Sequence, residues 1–289
     1  MIRSILVGVS AGTDTDTALD WAAAKAKRRG LPVRLVHAVP WIAPDPFGAA
    51  AAFRDEVIAQ GRTVLRTAAD RVRQSSPEVE VTELLDDETG PVTALLRHAD
   101  SAEMIVLGSK GRTVLGDLVA SSATLGTISR TQLPVVVVPA GAAQAAGPVV
   151  VGVDGSHLSD RAVEMAFLEA STRGTSLTAI TSWQEPSAWT SELAAYGVLT
   201  DDQRRQIQQG HRDTLADVLA PWQDKYPDVA VERRVVEGHP GRVLVAASHG
   251  AGLLVVGSRG RGGFTGLLLG SVSSAAVHHA TCPVMVCHD

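Results

Sequence analysis

Short segments dense in apolar and β-branched residues recur along the chain, separated by longer stretches in which apolar positions return every three or four residues. Ser4 to Val9, Val33 to Val39, Val79 to Leu84, Met104 to Leu107 and Val135 to Val138 are runs of the first kind. They are too short for helices and rich in β-branched side chains, so they read as strands. Between them Asp16 to Arg29, Phe47 to Arg73, Val92 to Ala99 and Ser122 to Arg130 carry a helical period. Five more strands are predicted at Val149 to Val153, Leu177 to Trp183, Val229 to Val235, Leu253 to Val256 and Val284 to Cys287. Strands alternating with helices predict an α/β protein with parallel sheets covered on both faces.

The two sets are copies of one unit. Ile5 to Ser10 (ILVGVS) matches Val149 to Asp154 (VVVGVD), Ile105 to Arg112 (IVLGSKGR) matches Leu254 to Arg261 (LVVGSRGR), and Leu133 to Val138 matches Cys282 to Cys287. The offset is 144 at the first match and 149 at the others, so the second copy carries about five extra residues in its middle. Ala140 to Pro148 is small and uncharged, which places one domain at residues 1–140 and another at 148–289. Each is predicted as a doubly wound, Rossmann-like five-stranded sheet of order 3-2-1-4-5. The fifth strands, strongly apolar for sheet edges, are expected to pair with each other and make a pseudo-twofold pair.

The most informative stretch is Leu253 to Ser271, LLVVGSRGRGGFTGLLLGS: a strand, a glycine-rich loop and a helix start. Gly257, Gly260, Gly262, Gly263, Gly266 and Gly270 let backbone N–H groups approach an anion. Ser271 and Val272 open a helix whose dipole favours negative charge, and Arg259 and Arg261 add full charges suited to phosphate. The bland alternative is a flexible connection. In a 3-2-1-4-5 sheet the crevice lies between strands one and four, which brings Asp154, after strand one, beside Gly257 and Ser258, after strand four. A carboxylate suits the far end of a nucleotide, accepting from a base amine or a ribose hydroxyl, better than it suits the phosphates.

Composition narrows the classes. With 4% aromatic residues the cores must be built from Val, Leu, Ile and Ala. A formal charge of −5 argues against broad binding to nucleic acid or an anionic membrane, since both need a basic field. The apolar run near the N-terminus breaks after about six residues, shorter than a signal peptide needs, and no segment approaches the ~18 apolar residues of a membrane span. A cytoplasmic location is expected. Cys282 and Cys287 fall in one strand-like run, roughly 16 Å apart, too far for a mutual disulfide, and read as buried thiols. The adjacent His278 and His279 diverge by ~100° on a helix, so no metal site is expected.

Gly257-x2-Gly260-x9-Gly270-Ser271 fits neither the Walker loop nor the dinucleotide fingerprint. It resembles the G-x2-G-x9-G-[ST] signature of the ATP-binding universal stress proteins, and Val151 to Ser156 resembles that family's opening motif. The resemblance covers nearly the whole chain as a tandem pair. It implies that Gly152 and Asp154 meet the adenine end, that Trp183 lies against the base, and that Gly257 to Gly263 with Gly270, Ser271 and Val272 hold ribose and phosphates. It implies ATP as cofactor, with Mg²⁺ on the phosphates; the family's dimerisation through the fifth strand agrees with the pairing of the two repeats within the chain, and a further homodimer of tandem chains is expected.

The copies differ at the expected site. Ser10 stands where the second copy has Asp154, Ser121 where it has Gly270, and Thr113 and Val114 stand opposite Gly262 and Gly263. Gly8, Gly108, Lys110, Gly111, Arg112, Ser121 and Ser122 therefore form at most a degraded site. Losing the acceptor and adding a side chain at a close approach costs on the order of 1–3 kcal/mol. No acidic residue lies between Gly257 and Ser271, so a nucleotide is expected to be retained as a switch or scaffold signal. The enzyme alternative is a weak ATPase, or autophosphorylation on Ser271 or Ser273.

Overall fold

The computed structural model describes residues 3–11, 15–39, 42, 49–112, 118–119, 121–142, 147–184, 200–260 and 269–288. In chain order the first repeat contains β1 (Ser4–Gly8), α1 (Asp16–Arg29), β2 (Val33–Ala38), α2 (Ala49–Ser75), β3 (Val81–Asp86), α3 (Pro91–Arg97), β4 (Ala102–Gly108), β5 (Lys110–Arg112), β6 (Leu118–Val119), α4 (Ser122–Ile128) and β7 (Val135–Val138). The second contains β8 (Val149–Gly152), α5 (Asp160–Arg173), β9 (Leu177–Trp183), α6 (Asp201–Lys225), β10 (Val231–Glu237), α7 (Pro240–Ala247), β11 (Leu253–Gly257), α8 (Ser271–His279) and β12 (Val284–Cys287).

Ten strands form one sheet in the order β10-β9-β8-β11-β12-β7-β4-β1-β2-β3. Each half reads 3-2-1-4-5, as the alternation of elements predicts. All pairings are parallel except the central one, where β12 meets β7 antiparallel with Val284 opposite Val137, Met285 opposite Val136 and Val286 opposite Val135. Val136 and Met285 are equivalent positions of the two copies, so the pseudo-twofold axis passes between them.

The strands inside the sheet are buried on both faces while the edge strands β3 and β10 are largely exposed, and alternation sorts the buried side chains into two cores. Ile5, Val7, Val136, Val255 and Met285 face α1, α2, α5 and α6. Leu6, Val137, Val256 and Val286 face the other side, with Leu95, Leu244 and Val277 from α3, α7 and α8. Both cores run unbroken across the junction of the repeats. Helices α1 and α5 end alike, on Gly30 and Gly174 with φ of +61° and +63°, the left-handed C-cap that glycine adopts without strain.

Two elements depart from expectation. The third strand of each copy starts two residues later than its apolar run, at Val81 and Val231, because Val79 and Val229 belong to the preceding turn: their N–H groups donate to Ser76 and Tyr226 carbonyls while their side chains plug the core. In the first repeat, Lys110–Arg112 is not open loop but pairs antiparallel with Leu118–Val119. Val81 and Val231 are equivalent at an offset of 150, whereas Val33 and Leu177 lie at 144, so the extra residues of the second copy enter between β9 and β10.

Candidate functional site

Strands β8 and β11 are neighbours and parallel, with Val255 beside Val151, so their C-terminal ends open side by side. A cleft of about 560 Å³ lies at those ends. Gly152, Val153 and Asp154 line it from β8, Val256, Gly257, Arg259 and Gly260 from β11, and Gly270, Ser271, Val272 and Ser273 from the start of α8. Ile180, Thr181 and Ser182 from β9, Leu244 from α7 and His211 from α6 complete the described walls together with Ser159 and Pro240.

Short hydrogen bonds fix the frame. Ser258 N–H donates to Cys287 O at 2.7 Å, and Gly270 N–H donates to Ser258 O at 2.9 Å, which ties the helix start back to the end of β11. The buried Ser273 hydroxyl donates to Gly257 O at 2.6 Å and also lies 3.2 Å from Ser258 O. Asp154 Oδ1 accepts from Ser156 N–H at 3.0 Å and from its hydroxyl at 2.6 Å. Gly155, between them, sits at φ +76°, a conformation open to glycine.

Glycine at Gly260 is a requirement of space, and at Gly270 a side chain would fit tightly. A Cβ on Gly260 would stand 2.8 Å from Asp154 Oδ2. One on Gly270 would stand 3.3 Å from Ser258 O and 3.4 Å from Arg259 Cα. Gly152 is a matter of packing: its Cβ would run into Leu244 Cδ1 at 2.6 Å, as that of Gly8 would into Leu107 at 2.5 Å.

The N-terminus of α8 distinguishes the repeats. Gly270 takes the N-cap position with φ −67° and ψ 156° and has no side chain to cap the helix. The first-turn N–H groups, which no helical carbonyl can reach, thus stand at the cleft wall. In the first repeat Ser121 holds the same backbone conformation, φ −67° and ψ 155°, but its hydroxyl accepts from Thr124 N–H at 3.1 Å. That cap stabilises α4 by about 1 kcal/mol and occupies a donor that the second repeat leaves to the cleft.

A second difference between the repeats escapes the motif comparison. His37 on β2 stands where β9 has Thr181; its Nδ1 lies 2.8 Å from Val9 O, and its ring is the near neighbour of Gly61 on α2. In the second repeat the equivalent helix position carries His211, which reaches the cleft. The signal lies in the internal alignment, where the two repeats exchange a histidine between strand and helix.

Of the residues expected at the site, Gly152, Asp154, Gly257, Arg259, Gly260, Gly270, Ser271 and Val272 line the cleft, and Ser258 braces it through its backbone. Arg261, Gly262 and Gly263 lie outside the described residues, as do Thr113 and Val114. Trp183, expected against the base, does not line the cleft; it is buried, 5% exposed, and Thr181 and Ser182 line the wall in its place. Trp183 ends β9, one residue beyond the stretch from Ile180 to Ser182 that lines the wall. In the first repeat Gly108 ends β4, Lys110, Gly111 and Arg112 form β5, and Ser121 and Ser122 cap and open α4.

A duplicated chain whose two doubly wound units share one sheet, with a glycine-walled cleft at the crevice of the second, defines the class of protein. The model of the universal stress protein family matches residues 1–139 and again 146–288, and the chain belongs to that family. It is 36% identical over 299 residues to a universal stress protein of Mycobacterium tuberculosis, covering 98% of this chain and 96% of the relative. A universal stress protein of Mycolicibacterium smegmatis is likewise 36% identical over 300 residues, with 98% and 96% covered. The crystal structure of a universal stress protein from Archaeoglobus fulgidus shares the fold, with a TM-score of 0.72 at 18% identity over 99% of this chain and 98% of that one. Among the described residues no helix is long and apolar enough to cross a membrane.

Proposed function

We propose that the second repeat holds ATP in the cleft between β8 and β11 and that the protein acts as a nucleotide-dependent regulatory switch or scaffold. The observation that carries this reading is the uncapped first turn of α8, set behind Gly270 and facing Asp154 across the cleft. The phosphates would lie against the N–H groups of Ser271 to Ser273 and the Gly257 to Gly260 turn, with Arg259 adding charge. The base would lie toward Ile180, Leu244 and Val256, an apolar floor, with Asp154 accepting from an amine or hydroxyl.

Retention is favoured over turnover. Asp154 is the one carboxylate among the described residues lining the cleft, and its assignment to the base or ribose end leaves none beside the phosphates. Mg²⁺ would then be held by phosphate and water. Ser273 is a poor phosphate acceptor, because its buried hydroxyl is already committed to Gly257 O. In this reading residues 1–140 and 148–289 are the two functional units, two chains form a homodimer, and the protein works in the cytoplasm.

The test is acid extraction of the purified protein with chromatography of the released nucleotide, for the parent, Gly270→Glu and Asp154→Ala. ATP from the parent and its loss from both variants is expected. Retention of the same nucleotide by both variants places the site elsewhere, and release of AMP or cyclic AMP changes the ligand.

A further inference from the structure

Equivalent residues of the two repeats meet at a second place on the pseudo-twofold axis. Lys25 on α1 and Glu169 on α5 are separated by 144 positions, the repeat offset of this region. Both side chains are fully buried, and Lys25 Nζ donates to Glu169 Oε1. Around them, Arg173 Nε donates to Glu169 Oε2 at 3.0 Å and the Arg173 guanidinium lies over the Trp21 ring, 5.6 Å from its centre. Arg29, the counterpart of Arg173, pairs with Glu103 at 3.1 Å.

A twofold axis makes a residue meet its own counterpart, so a junction of like repeats would bury two lysines or two glutamates against each other. Removing one partner of a buried pair, or opposing like charges there, is far costlier than replacing both by apolar groups. At the other contact on the axis, Val136 beside Met285, both residues are apolar, so like and unlike pairings there differ in packing and not in charge. We propose that Lys25 and Glu169 are a pairing code: the first repeat accepts a second repeat, its own or that of a second copy of the chain, and rejects another first repeat. This interface then never forms between like repeats, and any two-chain assembly through it is an exchange of unlike ones. The inference is independent of what the cleft binds.

The test uses full-length chains. Lys25→Glu opposes two acids and Glu169→Lys opposes two bases, and each alone is expected to lose a Tm on the order of 10 °C. Co-expressed, each chain supplies what the other lacks, and native mass spectrometry should show a 1:1 complex well above the statistical share. The double variant Lys25→Glu/Glu169→Lys, in which Arg29 can brace the acid introduced on α1 as Arg173 braces Glu169 in the parent, should recover most of the parent Tm. Lys25→Met/Glu169→Gln, in which Gln keeps an acceptor for Arg173, controls for folding: it should be more stable than either single variant and form no preferential complex with either. Single variants that stay apart on co-expression, or a charge-swapped double variant no more stable than the singles, overturn the proposal.

Discussion

Asp154 and Gly260 face each other so closely that the carboxylate Oδ2 lies 2.8 Å from the point where a Cβ on Gly260 would stand. The carboxylate cannot retreat cheaply, because Ser156 holds Oδ1 from the other side through its N–H and its hydroxyl. Gly260→Ala should therefore displace Asp154 and weaken nucleotide binding about tenfold or more, an effect of at least ~1.4 kcal/mol, with little change in Tm. Titration calorimetry with ATP checks it. Unchanged affinity would show that Asp154 does not touch the ligand.

The N-cap difference between the repeats gives a reciprocal pair. Gly270→Ser copies Ser121 and gives the helix a hydroxyl that accepts from its third residue, as Ser121 does from Thr124. Thermal stability should hold or rise by up to about 1 kcal/mol while ATP affinity falls, a split that general damage to the fold would not produce. Ser121→Gly alone should not create a second site, since Ser10 still replaces the carboxylate and His37 still stands where Thr181 leaves room. A stoichiometry rising from one nucleotide per chain to two in that single variant would contradict the role given to His37.

Much of this architecture is legible in the chain before folding. The inner strands are apolar on both faces, so their run lengths and β-branched content mark them, the edge strands β3 and β10 follow from their place in the alternation, and the repeat offset orders them all. Val79 and Val229 mislead because burial in a turn and burial in a strand ask for the same side chain. The β5 to β6 hairpin is missed because glycine and basic residues look like loop until a partner strand is known. Gly260 and Gly270 are readable from spacing, whereas Trp183 is not, since the last residue of β9 is buried in the fold while the three before it line the cleft. Lys25 and Glu169 look like the solvated side of two amphipathic helices, and only the juxtaposition of the repeats makes them interior.

The two thiols supply a check on the junction itself. Burial pushes the pKa of both Cys282 and Cys287 up to about 12, and Cys287 lies on the central strand β12. The thiolate is the reacting form, so at pH 8 the native protein should react with a disulfide reagent only as fast as it opens, although both thiols react at once in denaturant. Absorbance after mixing separates the cases. A fast native phase of one equivalent would mean that the sheet opens at β12 far more readily than its burial implies.

Acid sensitivity should trace in part to Asp86, which has no acidic counterpart in the second repeat. Its buried Oδ1 accepts from Thr89 N–H at 2.9 Å, Thr89 Oγ1 at 2.8 Å and Glu88 N–H at 3.2 Å, and Oδ2 meets Arg97 Nη1 at 3.3 Å. Burial opposes ionisation, but these donors and the Arg97 charge outweigh it and hold the carboxyl below the ordinary range. A carboxylate depressed in the folded state contributes stability that is present above its unfolded value, about 3.9, and is lost as the pH falls through its folded value. Asp86→Asn should cost about 1–3 kcal/mol at pH 7, and the gap should close as the pH is taken from about 5 to below about 3. Urea unfolding of parent and variant across that range measures it. A gap that persists undiminished in acid would assign the loss to shape and hydrogen bonding instead of charge.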